Sequence, residues 1–347
     1  MAVFNLRDYD DHEQVVFCND AESGLKAVIS IHSTALGPAV GGCRMWEYNS
    51  DEGALIDALR LSRGMSYKNA MAGLKMGGGK SVIIGNSKTM KSEALFKAFG
   101  RFIENLNGQY ISAEDVGINP EDMAIMNKET QYVVGLEGKS GDPSPLTAYG
   151  VYRGMKAAVK HKMGRDNLQG LKIAVQGLGH VGYYLCEHLN KEGAQLVVTD
   201  INKESIDRVV NDFNATPVDK DDIYAQDVDI YAPCALGASI NDATIPQLKC
   251  SIVAGAANNQ LAEDRHGEIL KQKGILYTPD YVINAGGIIN VSFENQPGGY
   301  NKQDSLNKVD EIYATLLEIF AAAELEQKTT NVVADQMARQ RIAQGKS

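Results

Sequence analysis

The sequence has no paired cysteines, no excess of basic residues and no long apolar run, and each absence removes a class of function. Its five cysteines (Cys18, Cys43, Cys186, Cys234, Cys250) are odd in number, scattered and never in Cys-x-x-Cys spacing. That usage suits free thiols in a reducing compartment, so a cytoplasmic location is expected. Acidic residues outnumber basic ones 44 to 34, for a net charge of -10. Nucleic-acid binders concentrate Lys and Arg on one face, so a polyanionic partner is not expected. No basic segment followed by an apolar stretch opens the chain, and no apolar run is long enough to span a bilayer. The expectation is a soluble, unexported protein without a membrane partner. Among the six histidines, His180 and His188 stand at two-turn helical spacing, but no carboxylate or cysteine completes a ligand pattern, and no metal is expected. Internal repeats and low-complexity stretches are absent as well.

What is present points to two domains, because 347 residues with 44% hydrophobic content exceed what one core usually covers. Two β-rich runs, Val15 to Cys18 and Leu25 to His32, open the chain. In the second, Ala27, Ile29 and Ile31 alternate with Lys26, Ser30 and His32, predicting a half-buried antiparallel pair. Ser50 is placed to N-cap a helix running toward Lys68, with Asp51 and Glu52 suited to its N-terminal dipole. A glycine-rich turn at Gly77, Gly78 and Gly79 is expected next, then a strand Ser81 to Ile84, a helix around Leu95 to Leu106, and a strand Tyr110 to Ala113. Glu114 and Asp115 thus end a strand. Asn119 followed by Pro120, Glu121 and Asp122 is a strong helix start.

The turn-forming segment Gly138 to Pro145 predicts an interdomain hinge, taken as 138–146, between a first domain over 1–137 and a second over 147–300. Beyond it strands and helices alternate, from a helix Thr147 to Lys160 through strands Leu171 to Gln176 and Gln195 to Thr199 to strands near Val228, Ser251 and Ile275. The fold class expected is therefore α/β, an N-terminal α/β domain followed by a Rossmann-type, doubly wound parallel sheet. The tail over 301–347 reads as helical, with Ile312, Leu316, Ile319 and Phe320 as apolar positions, and is expected to pack back toward the first domain.

Gly177-Leu-Gly-His-Val-Gly182 is the strongest local signal, because its context is complete. An apolar strand runs into it, a helix beginning at His180 follows, and the next strand ends in Asp200. The first glycine permits the tight turn, the second lets backbone approach a pyrophosphate and the third allows close helix packing. The helix N-terminus, with His180 and Val181, then faces the phosphates. Asp200 would accept from the ribose hydroxyls and repel a 2′-phosphate, which favours NAD over NADP; Lys203 nearby is the counter-argument.

Gly77-Gly-Gly-Lys80-Ser81 mimics the end of a phosphate-binding P-loop, but that motif needs glycine where Leu74 stands, and this lysine leads into a strand. Small neighbours around an ammonium suggest a desolvated lysine with a lowered pKa. Lys80, Lys68 and the strand-end Asp115 form a set that can bind an α-carboxylate, activate water and shuttle protons.

Several longer motifs carry a resemblance. Gly37-Pro-Ala-Val-Gly-Gly-Cys-Arg-Met-Trp46, Gly64-Met-Ser-Tyr-Lys-Asn69, Gly73 to Ser81, Ala113-Glu-Asp-Val-Gly117, Gly141 to Thr147, Asn258-Asn-Gln260 and Pro279 to Gly287 together resemble the glutamate, leucine, phenylalanine and valine dehydrogenase family, nearest its leucine-acting branch. The likeness covers nearly the whole chain.

The resemblance implies a substrate and oligomerisation domain followed by an NAD-binding domain, with a cleft between them, in a homo-oligomer of two to eight subunits. By position, Lys68 matches the residue that holds the substrate α-carboxylate, Lys80 the low-pKa lysine that activates water, and Asp115 the proton-transferring acid. Gly41 and Met65 fall in the substrate-binding motifs. Asn258 and Asn284 match positions near the nicotinamide and the substrate carboxylate, and Thr147 one that contacts the carboxamide. The implied activity is NAD-dependent, reversible oxidative deamination of leucine, isoleucine and valine to 2-oxo acids and ammonia.

Glutamate-specific members carry lysine where this chain has Val40. Val40, Ala113, Ile288 and Val291, all apolar, are the implied side-chain pocket. The Ala256 to Asn259 stretch also resembles tryptophan dehydrogenase, which keeps phenylalanine or tryptophan open as alternative substrates. A nucleotide-binding sensor without chemistry is the other alternative, and retention of both lysines and Asp115 counts against it.

Overall fold

The computed structural model describes residues 3–6, 8–136, 141–294 and 299–345. They form two compact units, the first made of Met1–Gly141, Glu294–Tyr300 and Ala338–Ser347, the second of Asp142–Phe293 and Asn301–Met337. Residues 138–140 of the expected hinge lie outside the described residues.

In the first unit β1 (Gln14–Asp20) pairs antiparallel with β2 (Leu25–Ser33), as the alternation predicts. There follow β3 (Ala39–Trp46), α1 (Asp51–Met71), β4 (Gly77–Ile84), α2 (Glu93–Glu104), β5 (Tyr110–Glu114) and α3 (Pro120–Met126). The strands make one mixed sheet in the order β1-β2-β4-β3-β5, with β4 antiparallel to β2 and β3 parallel to both β4 and β5. The predicted helix starts form as the residues dictate. Ser50 accepts from the Gly53 amide at 3.0 Å, and Asn119 and Asp122 make a reciprocal capping box.

Helix α1 covers one face of the sheet, packing Ala54, Leu55, Ala58 and Leu59 on Val28 and Val82. The other face carries Ile29, Ile31, Met45 and Ile83 under Phe96, Phe99 and Ile103 of α2 and Met123 and Met126 of α3. Strand β2 is therefore buried on both faces, which corrects the half-buried expectation. Its polar residues are satisfied under α1, where Ser30 and Ser62 share a hydrogen bond of 2.9 Å and His32 Nδ1 lies 2.7 Å from the Ser66 hydroxyl.

The expected glycine-rich turn is also corrected, since Gly77, Gly78 and Gly79 are the first three residues of β4. A Cβ on Gly78 would stand 2.0 Å from the Ser66 amide nitrogen, so the glycine lets α1 lie directly on the strand. Glycine usually weakens a strand interior, and this close approach is the reason it is kept here. Strand β3, at the middle of the parallel part of the sheet, has no counterpart among the elements read from the sequence.

The second unit begins with α4 (Ser144–Met163), then runs β6 (Lys172–Gln176), α5 (His180–Lys191), β7 (Gln195–Thr199), α6 (Lys203–Phe213), β8 (Thr216–Pro217), β9 (Ile230–Pro233), β10 (Ile252–Val253), α7 (Arg265–Gln272), β11 (Leu276–Tyr277), α8 (Asp280–Ile283) and α9 (Gly286–Ser292). Its six strands lie in the order β11-β10-β9-β6-β7-β8 and every pairing is parallel. Counted from β6, that is the 3-2-1-4-5-6 order of a dinucleotide-binding sheet. Helix α10 (Lys302–Glu326) buries Ile312, Leu316, Ile319 and Phe320 and packs on α4 and α9. The last helix is α11 (Thr330–Gly345), whose residues from Ala338 onward count with the first unit. There Arg341 donates to the Ala70 and Met71 carbonyls at the end of α1. Among the described residues no helix is long and apolar enough to cross a membrane.

Candidate active site

Lys80 lies in the middle of β4, aligned with Ser30 of β2, and its side chain is only 8% exposed. The ammonium does not sit alone, for Nζ meets Asp115 Oδ2 at 2.5 Å. Asp115 follows the last residue of β5, where a turn closed by the Ile118 amide on the Asp115 carbonyl ends the strand. Ala113 pairs with Gly42 and Val40 with Ile111, so Val40, Lys80 and Ala113 share the face of the sheet that α1 covers. Lys68 and Met65 come from the last turns of that helix, both half-buried. Gly41 lies on the alternate register, where its carbonyl accepts from the buried Tyr110 hydroxyl at 2.7 Å. The first unit thus brings Lys80 and Asp115 into contact and sets Val40 and Ala113 on the same sheet face, with Lys68 and Met65 on the helix over that face and Gly41 on the alternate register.

Sequence reasoning missed one member of this cluster. Arg44, two positions beyond Gly42 on β3, donates from Nε to Asp115 Oδ2 at 3.1 Å and from Nη1 to Asp57 Oδ2 at 2.9 Å. Asp57, on α1, also accepts from the Tyr48 hydroxyl at 2.7 Å and from Arg60 at 2.9 Å. Burial alone would raise the Asp115 carboxyl, but the Lys80 ammonium and the Arg44 guanidinium reverse the sign and hold it below the usual carboxylate range. The same contest runs at Asp57, where burial is outweighed by Tyr48, Arg60 and Arg44. The signal for Arg44 was in the quoted Gly41-Gly-Cys-Arg44 run, but nothing near it in sequence announces Asp57.

In the second unit the strand β6 delivers the glycine turn. Gly177 takes φ +100°, a left-handed conformation that side chains disfavour, and a Cβ on Gly182 would stand 2.0 Å from the Gly177 carbonyl oxygen. Gly179 N-caps α5 with no side-chain cap, and a Cβ there would meet nothing within 4 Å. Open space over bare helix amides is what a pyrophosphate requires. Val181 is half-buried in the first turn of α5, and the His180 ring projects outward with Nδ1 3.4 Å from Asp142 Oδ2. Asp200, just past β7, accepts from the Leu178 amide at 2.5 Å and the Asn202 amide at 2.8 Å, which locks the turn against the neighbouring strand end.

Asn284 and Asn258 also meet, Asn284 Nδ2 donating to Asn258 Oδ1 at 2.8 Å. Asn284 Oδ1 is buried and has no hydrogen-bond partner, an acceptor free for an amide donor of the kind a carboxamide supplies. Thr147 lies beside Gly287, whose Cβ would stand 2.8 Å from the threonine hydroxyl. Ile288 and Val291, both half-buried, share one face of α9. These features fit a nicotinamide dinucleotide.

The second unit is thus a dinucleotide-binding domain by strand order and glycine turn, and the first carries a buried lysine bonded to a carboxylate. The chain belongs to the Glu/Leu/Phe/Val dehydrogenase family. The family's dimerisation-domain model matches residues 12–132 and its Glutamate/Leucine/Phenylalanine/Valine dehydrogenase model residues 138–201 and 195–344. It is similar to the leucine dehydrogenase of Geobacillus stearothermophilus, 58% identical over 99% of this chain and 94% of that one. It is likewise 50% identical to an L-tryptophan dehydrogenase of Nostoc punctiforme over 100% of this chain and 98% of the relative. A crystal structure of L-tryptophan dehydrogenase from Nostoc punctiforme superposes with a TM-score of 0.88 at 48% identity, covering 97% of each chain. The protein is an amino-acid dehydrogenase of a family that is in general NAD(P)-dependent.

Proposed function

We propose that this enzyme carries out reversible, NAD-dependent oxidative deamination of branched-chain L-amino acids, leucine above isoleucine and valine, as a cytoplasmic homo-oligomer. The observation that carries the chemistry is the Lys80–Asp115 contact of 2.5 Å. Similarity to leucine dehydrogenases supports the substrate, as do the apolar Val40 and Ala113 on the sheet face of Lys80 in the first unit and, separately, the apolar Ile288 and Val291 of α9 in the second. An apolar wall favours an aliphatic side chain and gives no partner to the second carboxylate of glutamate. Asp200 supports NAD, because its fixed negative charge would repel a 2′-phosphate.

The dinucleotide, when bound, supplies the acceptor for the hydride that leaves the substrate Cα. Lys68 pairs with the α-carboxylate and fixes that carbon. Lys80, as the amine, takes a proton from the water that adds to the imine carbon, and the Asp115 carboxylate bonded to Nζ relays that proton from the resulting ammonium to the departing nitrogen, ending as the carboxylate again. The products are the 2-oxo acid and ammonia, and the reverse steps aminate the 2-oxo acid.

The test is a panel of L-amino acids with NAD, followed at the reduced-nicotinamide absorbance band. The expected order of kcat/KM places leucine, isoleucine and valine above phenylalanine and tryptophan. An aromatic substrate at the head of the panel would overturn the assignment in favour of the reading that the tryptophan dehydrogenase likeness supports.

A further inference from the structure

We propose that Arg44, moored by Asp57, is a positioning residue for the reaction: a permanent cation that aims the Asp115 carboxylate at Lys80 and returns it to the negative form after each proton it relays. The proposal rests on the catalytic reading of Lys80 and Asp115 given above. Its basis is that Arg44 Nε at 3.1 Å and Lys80 Nζ at 2.5 Å donate to the same oxygen, Asp115 Oδ2. A buried carboxylate whose one counter-ion is a lysine loses that counter-ion whenever the lysine becomes a neutral amine, and then tends to take up the proton itself. Arginine does not deprotonate, so with Arg44 in place the carboxylate keeps a cation through the whole proton cycle.

The mooring is as specific as the contact. The fork of Arg44 places Nε on Asp115 and Nη1 on Asp57 at 2.9 Å, so one planar group spans from β5 to α1. Asp57 is held in turn by Tyr48 and Arg60. A lysine in place of Arg44 carries all its donors on one nitrogen and lacks the rigid fork that here sets separate nitrogens on the two carboxylates. The ionisable groups that act on Asp115 are Lys80 on β4, Arg44 and Cys43 on β3 and Tyr110 on β5, with Asp57 on α1 acting through Arg44 and Asp122 on α3 through Cys43. Of these side chains, Lys80 and Arg44 bond Asp115 directly.

The sign of each charge change can be worked out in advance. Removing the Arg44 cation makes protonation of Asp115 easier, so Arg44→Gln is expected to move the acid limb of the kcat/KM profile to higher pH by about 1 unit. Removing the Asp57 anion does the opposite, and Asp57→Asn is expected to move the limb to lower pH by a fraction of a unit. A purely structural role would lower the rate evenly at every pH and leave the limb in place.

The experiment is the pH profile of L-leucine oxidation with NAD for the full-length wild type and both variants, with thermal midpoints as the folding control. Opposite shifts support the proposal; limbs that stay in place, or that move the same way, overturn it. Should Arg44→Gln fail to fold, the direction of the Asp57→Asn shift decides alone. Failure of the catalytic reading is separate and visible, since Lys80→Ala would then retain turnover whatever the limbs do.

Discussion

Gly42 stands so close to Asp115 that a Cβ on the glycine would lie 2.8 Å from the aspartate Cβ and 2.5 Å from the Glu114 carbonyl oxygen. Both neighbours belong to the end of β5, and neither is the far end of a flexible side chain. Gly42→Ala is therefore expected to push that strand end away and carry Asp115 off Lys80. Overpacking of this kind costs about 1–3 kcal/mol of stability, and a displacement of ~1 Å at a catalytic group costs about 100-fold in rate. A kcat within threefold of wild type would show that β3 and β5 separate there without moving the carboxylate.

Lys80→Ala is expected to abolish deamination while NAD binding survives, because Lys80 belongs to the first unit and the Gly177 to Gly182 turn to the second. Titration by reduced-nicotinamide fluorescence beside initial-rate measurement checks both halves. Loss of affinity comparable to the loss of rate would contradict the separation.

Asp200 holds the Leu178 amide at 2.5 Å, so its truncation would loosen the glycine turn as well as remove a charge. Asp200→Asn keeps an acceptor for that amide and removes only the negative charge. The expected result is a fall in the NAD-to-NADP preference by about tenfold, the factor that ~1.4 kcal/mol represents. An unchanged ratio of kcat/KM for the two dinucleotides would move the discrimination to Lys203.

Ala113 pairs with Gly42 and shares the sheet face of Lys80, which places its methyl on the side where chemistry is expected. Ala113→Gly deepens that space by one carbon, which weakens packing on an isobutyl group and admits a phenyl ring. The phenylalanine-to-leucine ratio of kcat/KM is expected to rise about tenfold. A flat or falling ratio in a folded variant would remove Ala113 from the pocket.

His32 is buried under α1 beside His12, with ring centroids 4.8 Å apart, and burial followed by the charge of His12 pushes its pKa down from 6.5 to about 4. The unfolded chain takes up this proton near pH 6.5, the folded chain only near pH 4. The stabilisation from a neutral His32 is thus complete above pH 6.5 and is lost as pH falls through that window, by roughly 3 kcal/mol in all. Urea unfolding at pH 7 and pH 5 is expected to show the loss, and His32→Gln to reduce the difference between the two pH values. An equal pH dependence in the variant would assign the acid sensitivity to other groups.

Much of the fold was legible because it is local. The Ser50 and Asn119 caps, the β1–β2 alternation and the strand-glycine-helix run at Gly177 each lie within a few residues of sequence, where side-chain type and backbone preference act directly. The Lys80–Asp115 pair was legible as residue types in recognisable motifs.

What only the tertiary structure decided is everything whose cause lies far along the chain. Gly77 to Gly79 read as a turn and form a strand because β2 and β3 pair with them on either side, and at Gly78 α1 lies too close for a side chain. Strand β2 reads as half-exposed and is buried on both sides because two helices cover it. Arg44 joins Asp57, 13 residues away, to Asp115, 71 residues away, and in sequence each is an ordinary charge. The physical reason is common to all three. A local sequence fixes backbone preference and side-chain chemistry, but burial, close approach and the sign of a carboxylate's shift are properties of the surroundings, which exist only after distant segments have packed together.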